Sequence, residues 1–243
     1  IVGSQEQAII THQSRTIIYG RWGSWKSMLS MDLMFKIAMG HNWLGFPTTK
    51  SRSAMLQIEL PKKMMQERVL QYIRGNNIMA LPEGMWISSA PYYKMDSGPQ
   101  YELDTQLTMY KPNVLIVDPI YKVLTQNISD NTGVQRFLDY CDELIEKFNL
   151  SIVAIGHIRK PGEVGEDNSY SLEHELLGAS YFADWADNLI SVQLMPSPIE
   201  ETEDVHPIVT VRFEKTRNSH TLIDPRVLEI DRPTLKFSTN HAQ

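Results

Sequence analysis

The stretch Tyr19-Gly20-Arg21-Trp22-Gly23-Ser24-Trp25-Lys26-Ser27 decides the fold of this chain. An apolar run, Thr16-Ile17-Ile18-Tyr19, precedes it, and a helix-like run from Met28 to Met39 follows it. A buried strand, a glycine-bearing loop that ends in Lys-Ser, and a helix form the context in which many proteins bind phosphate. The order of these three elements therefore predicts a phosphate-binding loop at the start of the helix.

This loop matches three positions of the phosphate-loop pattern G-x-x-x-x-G-K-[ST]. Gly20, Lys26 and Ser27 stand at the required spacing. In such loops backbone N–H groups surround phosphate oxygens, the lysine contacts the β- and γ-phosphates, and the hydroxyl side chain holds Mg²⁺. The alternative is a strand, turn and helix that carry these residues by chance. The candidate nucleotide-binding residues are Gly20, Arg21, Trp22, Gly23, Ser24, Trp25, Lys26, Ser27 and Met28.

Trp25 departs from the pattern, which has glycine at this position. A large side chain adds bulk and restricts φ, whereas glycine accepts a positive φ. We therefore expect a working loop to have a negative φ at Trp25 and an indole that points away from the phosphates. If the indole disturbs the loop, the chain would bind nucleotide without hydrolysing it.

The composition is that of an ordinary globular protein. The 243 residues are 42% hydrophobic and 21% charged, and no apolar run is long enough to span a bilayer. The single cysteine, Cys141, excludes an internal disulfide, so we interpret the chain as cytoplasmic, without a membrane partner. A net charge of −6 argues against a surface that is basic overall, although it permits local basic loops. We expect one domain, residues 1–243, which is a fragment if the natural chain begins before Ile1.

Apolar runs alternate with amphipathic helices along the chain. Asn113 to Asp118 is the clearest strand, with four successive apolar residues. Such continuous runs are typical of strands covered on both faces, as in parallel sheets. Two final runs, Val227 to Ile230 and Leu235 to Phe237, have no helix between them and predict a hairpin. The pattern predicts an α/β fold with a mainly parallel twisted sheet flanked by helices, and with antiparallel strands near the C-terminus.

Two acids end predicted strands. Asp118 ends the run from Asn113, and Glu59 ends the run from Ser53. The carboxyl ends of parallel strands line the crevice in which α/β sheets bind ligands. There Asp118 would orient Mg²⁺ or its water, and Glu59 would take a proton from the water that attacks the γ-phosphate. The structural alternatives are a turn-forming Asp before Pro119 and a helix-start Glu stabilised by the helix dipole.

Three polar residues follow the predicted strand from Leu150 to Gly156. His157 ends this strand and would sense the γ-phosphate, unless it is only a satisfied polar strand end. Arg159 and Lys160 would contact nucleic-acid phosphates, although acidic residues later in the same loop dilute their charge. The residues alone therefore leave two interpretations open, an ordinary polar strand end or a phosphate-sensing one that continues into a nucleic-acid contact.

Lys215 and Arg217 share one side of a predicted extended segment. A pair of cations in this arrangement would reach the nucleotide of a neighbouring subunit and stabilise charge in the transition state. The ordinary alternative is a solvated pair on the surface. The pair indicates an oligomer if the other predicted site residues form an ATPase site, because the two cations would then act on the nucleotide of a neighbouring subunit.

In order and spacing, these motifs resemble the RecA-like P-loop ATPase core, and most closely the RepA-type hexameric replicative helicases of plasmids and phages. Each motif is short, so the specificity of the resemblance lies in their order over residues 15–220. The segments that carry it are Gly20 to Ser27, Trp43-Leu44-Gly45, Glu59, Val117-Asp118-Pro119, Ile155-Gly156-His157-Ile158-Arg159-Lys160, Leu177-Gly178-Ala179-Ser180, Ala183-Asp184-Trp185-Ala186-Asp187 and Phe213-Glu214-Lys215-Thr216-Arg217.

The resemblance implies ATP and Mg²⁺ as cofactors, with Asp118 holding the ion through water and Glu59 as the catalytic base. Members of this family assemble into rings or filaments, which predicts a homo-oligomer, hexameric if it is a ring, with active sites shared between subunits. Loops at 120–132 and 158–172 would contact single-stranded DNA. The resemblance gives Glu59, Lys26, His157, Lys215 and Arg217 as catalytic candidates, the last two acting in trans, and Lys122, Arg159 and Lys160 as DNA-contacting candidates.

The sequence therefore predicts an ATP-hydrolysing oligomeric motor on single-stranded DNA, either a replicative helicase or the helicase part of a longer protein. It would work in the cytoplasm, in bacterial, archaeal or viral replication machinery. A strand-exchange recombinase or a helicase-loading ATPase on the same core would differ only in output. The third interpretation is a nucleotide-binding scaffold with weak or no hydrolysis, and Trp25 motivates it.

Overall fold

A mixed β-sheet is the central element of the chain. The computed structural model describes residues 1–88, 94–97, 100–125, 131–157, 179–196 and 206–239. In these ranges nine strands form one sheet, and two short strands, β1 (Val2–Gly3) and β2 (Ala8–Ile10), form a separate pair. The strands of the sheet are β3 (Arg15–Gly20), β4 (Ser53–Gln57), β5 (Met85–Ser88), β6 (Val114–Asp118), β7 (Ser151–His157), β8 (Asn188–Leu194), β9 (Ile208–Thr216), β10 (Arg226–Asp231) and β11 (Lys236–Thr239).

The sheet has a parallel part and an antiparallel part. Neighbouring strands run parallel in the order β5-β4-β6-β7-β3-β8. Beyond β8 the strands β9, β10 and β11 continue the same sheet in antiparallel pairs. The predicted α/β fold, with antiparallel strands toward the C-terminus, is therefore confirmed.

Helices cover both faces of the sheet and bury two apolar clusters against it. On β3, Ile18 joins the cluster that contains α1 (Lys26–Met39), whereas Ile17 and Tyr19 join the cluster that contains α5 (Asn131–Phe148). This alternation follows from the two-residue period of a strand. Among the helices described here, none is both long and apolar enough to cross a membrane. The helices are α1 (Lys26–Met39), α2 (Lys62–Gly75), α3 (Tyr101–Tyr110), α4 (Ile120–Val123), α5 (Asn131–Phe148) and α6 (Ala179–Trp185).

The parallel strands bring their carboxyl ends to one edge of the sheet. Gly20 lies opposite His157 on neighbouring strands, and Gln57 lies opposite Asp118. The sequence predicted that Glu59 is the last residue of its strand. This prediction is wrong, because β4 ends at Gln57 and Glu59 lies two residues beyond it. The sheet thus presents the candidate loop, the two acids and the histidine at the same edge.

Candidate nucleotide-binding and catalytic site

A cavity of about 1040 Å³ opens at the carboxyl edge of the parallel strands. It is lined by the loop from Trp22 to Met28, by Glu59 beyond the end of β4, by His157 at the end of β7, and by Arg68 and Arg232. Its volume is at the upper end of the range for sites that hold small molecules and cofactors. The cavity is large enough for a nucleoside triphosphate whose phosphates lie against the loop.

The loop itself connects the end of β3 to the start of α1. Gly20 is required by close packing, since a Cβ there would lie 2.2 Å from the Val192 carbonyl oxygen of β8. Gly23 has a φ of +78°, which glycine adopts without steric cost. Helix α1 begins at Lys26, and the N–H groups of a first helical turn have no acceptor within the helix. Free N–H groups at a helix N-terminus, together with the helix dipole, form a common binding site for anions such as phosphate.

Trp25 has a left-handed backbone, with φ 67° and ψ 15°, so the expectation of a negative φ is wrong. The residue keeps a conformation that suits glycine, at a steric cost of about 1–2 kcal/mol. Tertiary packing offsets this cost: the indole packs against the apolar cluster around α1, and the Arg232 guanidinium lies 5.9 Å from its ring centroid. The tryptophan therefore adds an indole to the side chains around the loop, while the backbone at position 25 keeps the left-handed conformation that glycine would adopt.

Lys26 is almost fully buried beneath the loop. Its Nζ donates to the Arg21 carbonyl oxygen at 2.6 Å and to Ser24 Oγ at 3.1 Å. Burial lowers the pKa of Lys26 to about 8, while the nearby Asp118 and Glu59 carboxylates oppose this shift. The ammonium is still mostly protonated at neutral pH. It is held by loop acceptors that phosphate oxygens could replace.

Asp118 is a buried carboxyl with an unsatisfied oxygen. It accepts a hydrogen bond from Ser27, and its pKa is raised to about 6, chiefly by burial. Asp118 Oδ1 and Gln57 Oε1 are both buried with no hydrogen-bond partner in the part of the chain that the structure describes. Both residues line a cavity of about 20 Å³ together with Ser27. Such a space holds about one water molecule, so these polar atoms surround a place for a small ligand.

The donor set at this small cavity fits Mg²⁺. The ion prefers oxygen ligands, keeps several waters, and is usually bound by one or two carboxylates plus substrate phosphates. Ser27 supplies a hydroxyl and Asp118 a carboxylate. Within the described ranges no three His, Cys, Asp or Glu side chains cluster around a common point. A magnesium ion here would therefore depend on the nucleotide and on water for its remaining ligands.

Glu59 is exposed at the rim of the two cavities. The Ile58 N–H donates to the Asp118 carbonyl oxygen at 3.1 Å, which keeps the segment beside β6. The Tyr121 hydroxyl donates to Glu59 Oε1 at 3.1 Å. A carboxylate at the rim of the cavity has the acceptor oxygens that a general base needs.

His157 ends β7 and lines the larger cavity. Burial and the nearby Lys26 lower the pKa of His157, so its imidazole is neutral at pH 7. Its ring lies edge-on against Tyr121, with centroids 5.5 Å apart. A neutral imidazole donates one N–H, which is the group that contact with a γ-phosphate oxygen requires.

Tyr121, Arg68 and Arg232 belong to this site but were not predicted. Tyr121 lies three residues after the strand-end Asp118, and that short spacing is the one signal that could have found it. Arg68 depends on which face of α2 turns toward the cavity. Arg232 depends on how the C-terminal hairpin folds back onto the loop. Neither of these placements follows from local sequence.

Lys215 and Arg217 lie at the opposite edge of the sheet from the loop. Lys215 is opposite Leu189 in the β8–β9 pair, and Leu189 lies beside Ile17 near the start of β3. From Ile17 to Gly20, where the loop begins, the strand advances about 10 Å. Neither cation lines the larger cavity. The fold therefore separates this pair from the nucleotide cavity of its own chain.

Both cations have partners within the chain. Lys215 Nζ donates to the Ala183 carbonyl oxygen at 2.7 Å. Arg217 Nη1 donates to Asp187 Oδ1 at 2.9 Å, and its side chain remains half exposed. Action on a neighbouring subunit would require each side chain to exchange these contacts for phosphate.

One of the three DNA-contacting candidates lies in the described residues. Lys122 is exposed on α4, with its Nζ 5.4 Å from the Tyr121 ring centroid. Arg159 and Lys160 lie outside the described residues, as do 126–130 and 158–172 of the two predicted DNA-contacting loops. These contacts therefore stay predictions from the sequence.

Fold and loop together define a RecA-like P-loop ATPase. The parallel sheet, its antiparallel C-terminal strands and the loop between β3 and α1 are the parts that carry this assignment. A family model described as an AAA domain, AAA_25, matches residues 7–163, which is more than half of the chain. The chain belongs to this AAA domain family. Such a fold implies nucleotide binding, usually with Mg²⁺.

Solved structures show the same fold at low sequence identity. A KaiC-like protein from the hyperthermophilic archaeon Pyrococcus horikoshii has a TM-score of 0.63 and 12% identity, over 95% of this chain and 90% of that chain. The flagellar accessory protein FlaH from Methanocaldococcus jannaschii has a TM-score of 0.63 and 13% identity, over 96% of this chain and 92% of that chain. No curated protein sequence matches the chain. At such identities the likeness supports the fold and not a shared activity.

Proposed function

We propose that this P-loop ATPase couples ATP hydrolysis to movement on single-stranded DNA, as a replicative helicase of the RepA type or the helicase part of a longer protein. One observation carries the proposal. Residues far apart in the sequence, from Ser27 to His157, lie around two adjoining cavities at one edge of the sheet. Each of these residues has a side chain that suits one task in ATP hydrolysis: binding phosphate, holding Mg²⁺, accepting a proton or contacting the γ-phosphate. In this proposal residues 1–243 act as one domain, in the cytoplasm.

In the proposed reaction each residue has one role. Lys26 leaves the Arg21 carbonyl and binds the β- and γ-phosphates, together with the N–H groups of the loop. Ser27 would hold Mg²⁺ through its hydroxyl and Asp118 through a water molecule, and the bound ion would lower the charge on the phosphate oxygens. Glu59 accepts a proton from the attacking water. His157 donates to a γ-phosphate oxygen and so distinguishes ATP from ADP.

The proposal includes a homo-oligomer, a ring of six or a filament. Its support is the position of Lys215 and Arg217 at the edge away from their own cavity. A head-to-tail contact between copies brings unlike surfaces together, so this edge of one subunit would face the cavity of the next. There the two cations would stabilise charge that develops on the transferred phosphoryl group. Lys122, Arg159 and Lys160 would contact DNA.

ATP turnover with and without single-stranded DNA tests this proposal. Wild type should hydrolyse ATP, DNA should raise the rate, and a forked duplex should be unwound. Lys26→Ala should abolish turnover because the ammonium that binds the phosphates is lost. Lys63→Ala is the matched control, since Lys63 is exposed on α2 outside the cavity. If Lys26→Ala hydrolyses ATP as wild type does, the proposal is wrong.

A non-hydrolysing nucleotide-binding scaffold is a second candidate, because Trp25 brings an indole into the loop. The left-handed backbone at Trp25 favours the first candidate, since it leaves the loop in a glycine-like path. Under the second candidate wild type would bind ATP without turnover, and Trp25→Gly would turn over. Ordinary turnover by wild type rejects it.

A further inference from the structure

Tyr121 is the residue of α4 that reaches the candidate base. Its hydroxyl donates to Glu59 Oε1 at 3.1 Å, and its ring lies against His157 with centroids 5.5 Å apart. Among the hydrogen bonds of the described residues, the Glu59 side chain takes part in one, which is the bond from Tyr121. Tyr121 therefore links the base to the residue that would contact the γ-phosphate.

The segment that carries Tyr121 is fixed on its other side. Ile120 and Val123 are fully buried in the cluster around α5. Lys94 Nζ donates to the Lys122 carbonyl oxygen at 2.9 Å, which pins the end of the short helix. A side chain on a packed and hydrogen-bonded element holds its partner more precisely than one on an unsupported loop.

Glu59 has little support of its own. It is exposed and lies two residues beyond the end of β4. An unrestrained glutamate has considerable rotamer freedom, and ordering it carries an entropy cost. Burial, followed by the effect of Glu59, raises the pKa of Tyr121 to about 12. The phenol therefore remains a donor throughout the physiological pH range.

We propose that Tyr121 is a positioning residue for the base: its phenol holds Glu59 Oε1 and so orients the carboxylate to accept the proton of the attacking water. This inference rests on the proposed ATP hydrolysis and adds a residue that the motif pattern does not contain. Oε2 of Glu59 is the oxygen left to face the water. Because Tyr121 acts through Glu59, its loss affects the chemical step and leaves ground-state binding unchanged.

Tyr121→Phe removes the hydroxyl and keeps the ring against His157. We expect kcat for ATP to fall about tenfold to 150-fold, the loss that corresponds to one hydrogen bond to a charged group. KM, the affinity for a fluorescent ATP analogue, and Tm should match wild type. The control is Tyr110→Phe, the same chemical change on a ring that stacks on Trp86 at 5.1 Å; its kcat should equal wild type.

A double-mutant cycle separates positioning from a structural role. In a Glu59→Gln background, single-turnover rates with and without Tyr121→Phe should be equal, since no base remains to be oriented. If Tyr121→Phe alone has the wild-type kcat, or if it lowers the rate further in the Glu59→Gln background, the inference is wrong and the proposed function stands. If wild type itself has no turnover that depends on Lys26, both are wrong.

Discussion

The two edges of the parallel strands carry similar polar side chains but differ in how these are satisfied. At the amino edge, Asp187 accepts hydrogen bonds at 2.9 Å from both the Arg15 N–H and Arg217. At the carboxyl edge, Asp118 Oδ1 and Gln57 Oε1 are buried without a partner among the described residues. Buried polar groups in native proteins are nearly always hydrogen-bonded. At the amino edge the carboxylate of Asp187 is satisfied within the chain, although Asn188 Oδ1 beside it is buried without a partner among the described residues. At the carboxyl edge the two unsatisfied side chains line one small cavity, where a ligand could satisfy them.

The largest expected effect tests whether the amino edge also serves a neighbouring subunit. Arg217→Ala should lower kcat by about 10²–10³, the usual effect of losing one group that stabilises transition-state charge. The free energy of unfolding should fall by less than about 1 kcal/mol, because the Arg217 side chain is half exposed and Asp187 keeps its hydrogen bond from the Arg15 N–H. Steady-state turnover and thermal unfolding measure the two quantities.

Mixing two inactive variants sharpens this test. Lys26→Ala subunits keep Arg217, and Arg217→Ala subunits keep an intact cavity, so a mixed oligomer should regain turnover. A mixture that stays inactive although both variants assemble would contradict the action of Arg217 on a neighbouring subunit. In that case the amino edge is structural only.

A smaller effect concerns pH at the carboxyl edge. The carboxyl of Asp118 has a pKa of about 6 and must lose its proton to bind a metal ion. Its deprotonated fraction therefore falls as the pH decreases through this value, about tenfold between pH 7 and pH 5. We expect the Mg²⁺ concentration required for half-maximal turnover to rise by the same factor. Asp118→Asn should remove this pH dependence, and a Mg²⁺ requirement that is equal at both pH values would contradict the assignment.

The smallest effect concerns the backbone of the loop. Trp25→Gly relieves the left-handed strain but loses the packing of the indole, whereas Trp25→Ala loses the packing and keeps the strain. Trp25→Ala should therefore be less stable than Trp25→Gly by about 1 kcal/mol. Chemical denaturation measures this difference. Equal stability of the two variants would mean that the loop changes its φ at position 25.

The main elements of this edge could be predicted from the sequence because long apolar runs show where buried strands end. The run from Asn113 placed Asp118 correctly, and the run from Leu150 placed His157. The strand before Glu59 is shorter than predicted, because Ile58 continues the apolar pattern after β4 has ended. The strands β1 and β2 were not predicted, since the first 14 residues are mostly polar.

Features set by distant contacts could not be predicted. The left-handed φ of Trp25 was predicted with the wrong sign, because local sterics disfavour it and only the packing near Arg232 and α1 offsets the cost. The contact between Tyr121 and Glu59 joins two segments 62 positions apart. The orphaned Gln57 was missed because its burial depends on the strands that flank β4.

A structure with Mg²⁺ and a non-hydrolysable ATP analogue tests the central claim most directly. The account predicts phosphates against the loop, Lys26 Nζ moved from the Arg21 carbonyl to a phosphate oxygen, and Mg²⁺ beside Ser27 and Asp118. A nucleotide bound elsewhere, or a Lys26 that keeps its contact with Arg21 while the analogue is bound, would contradict it.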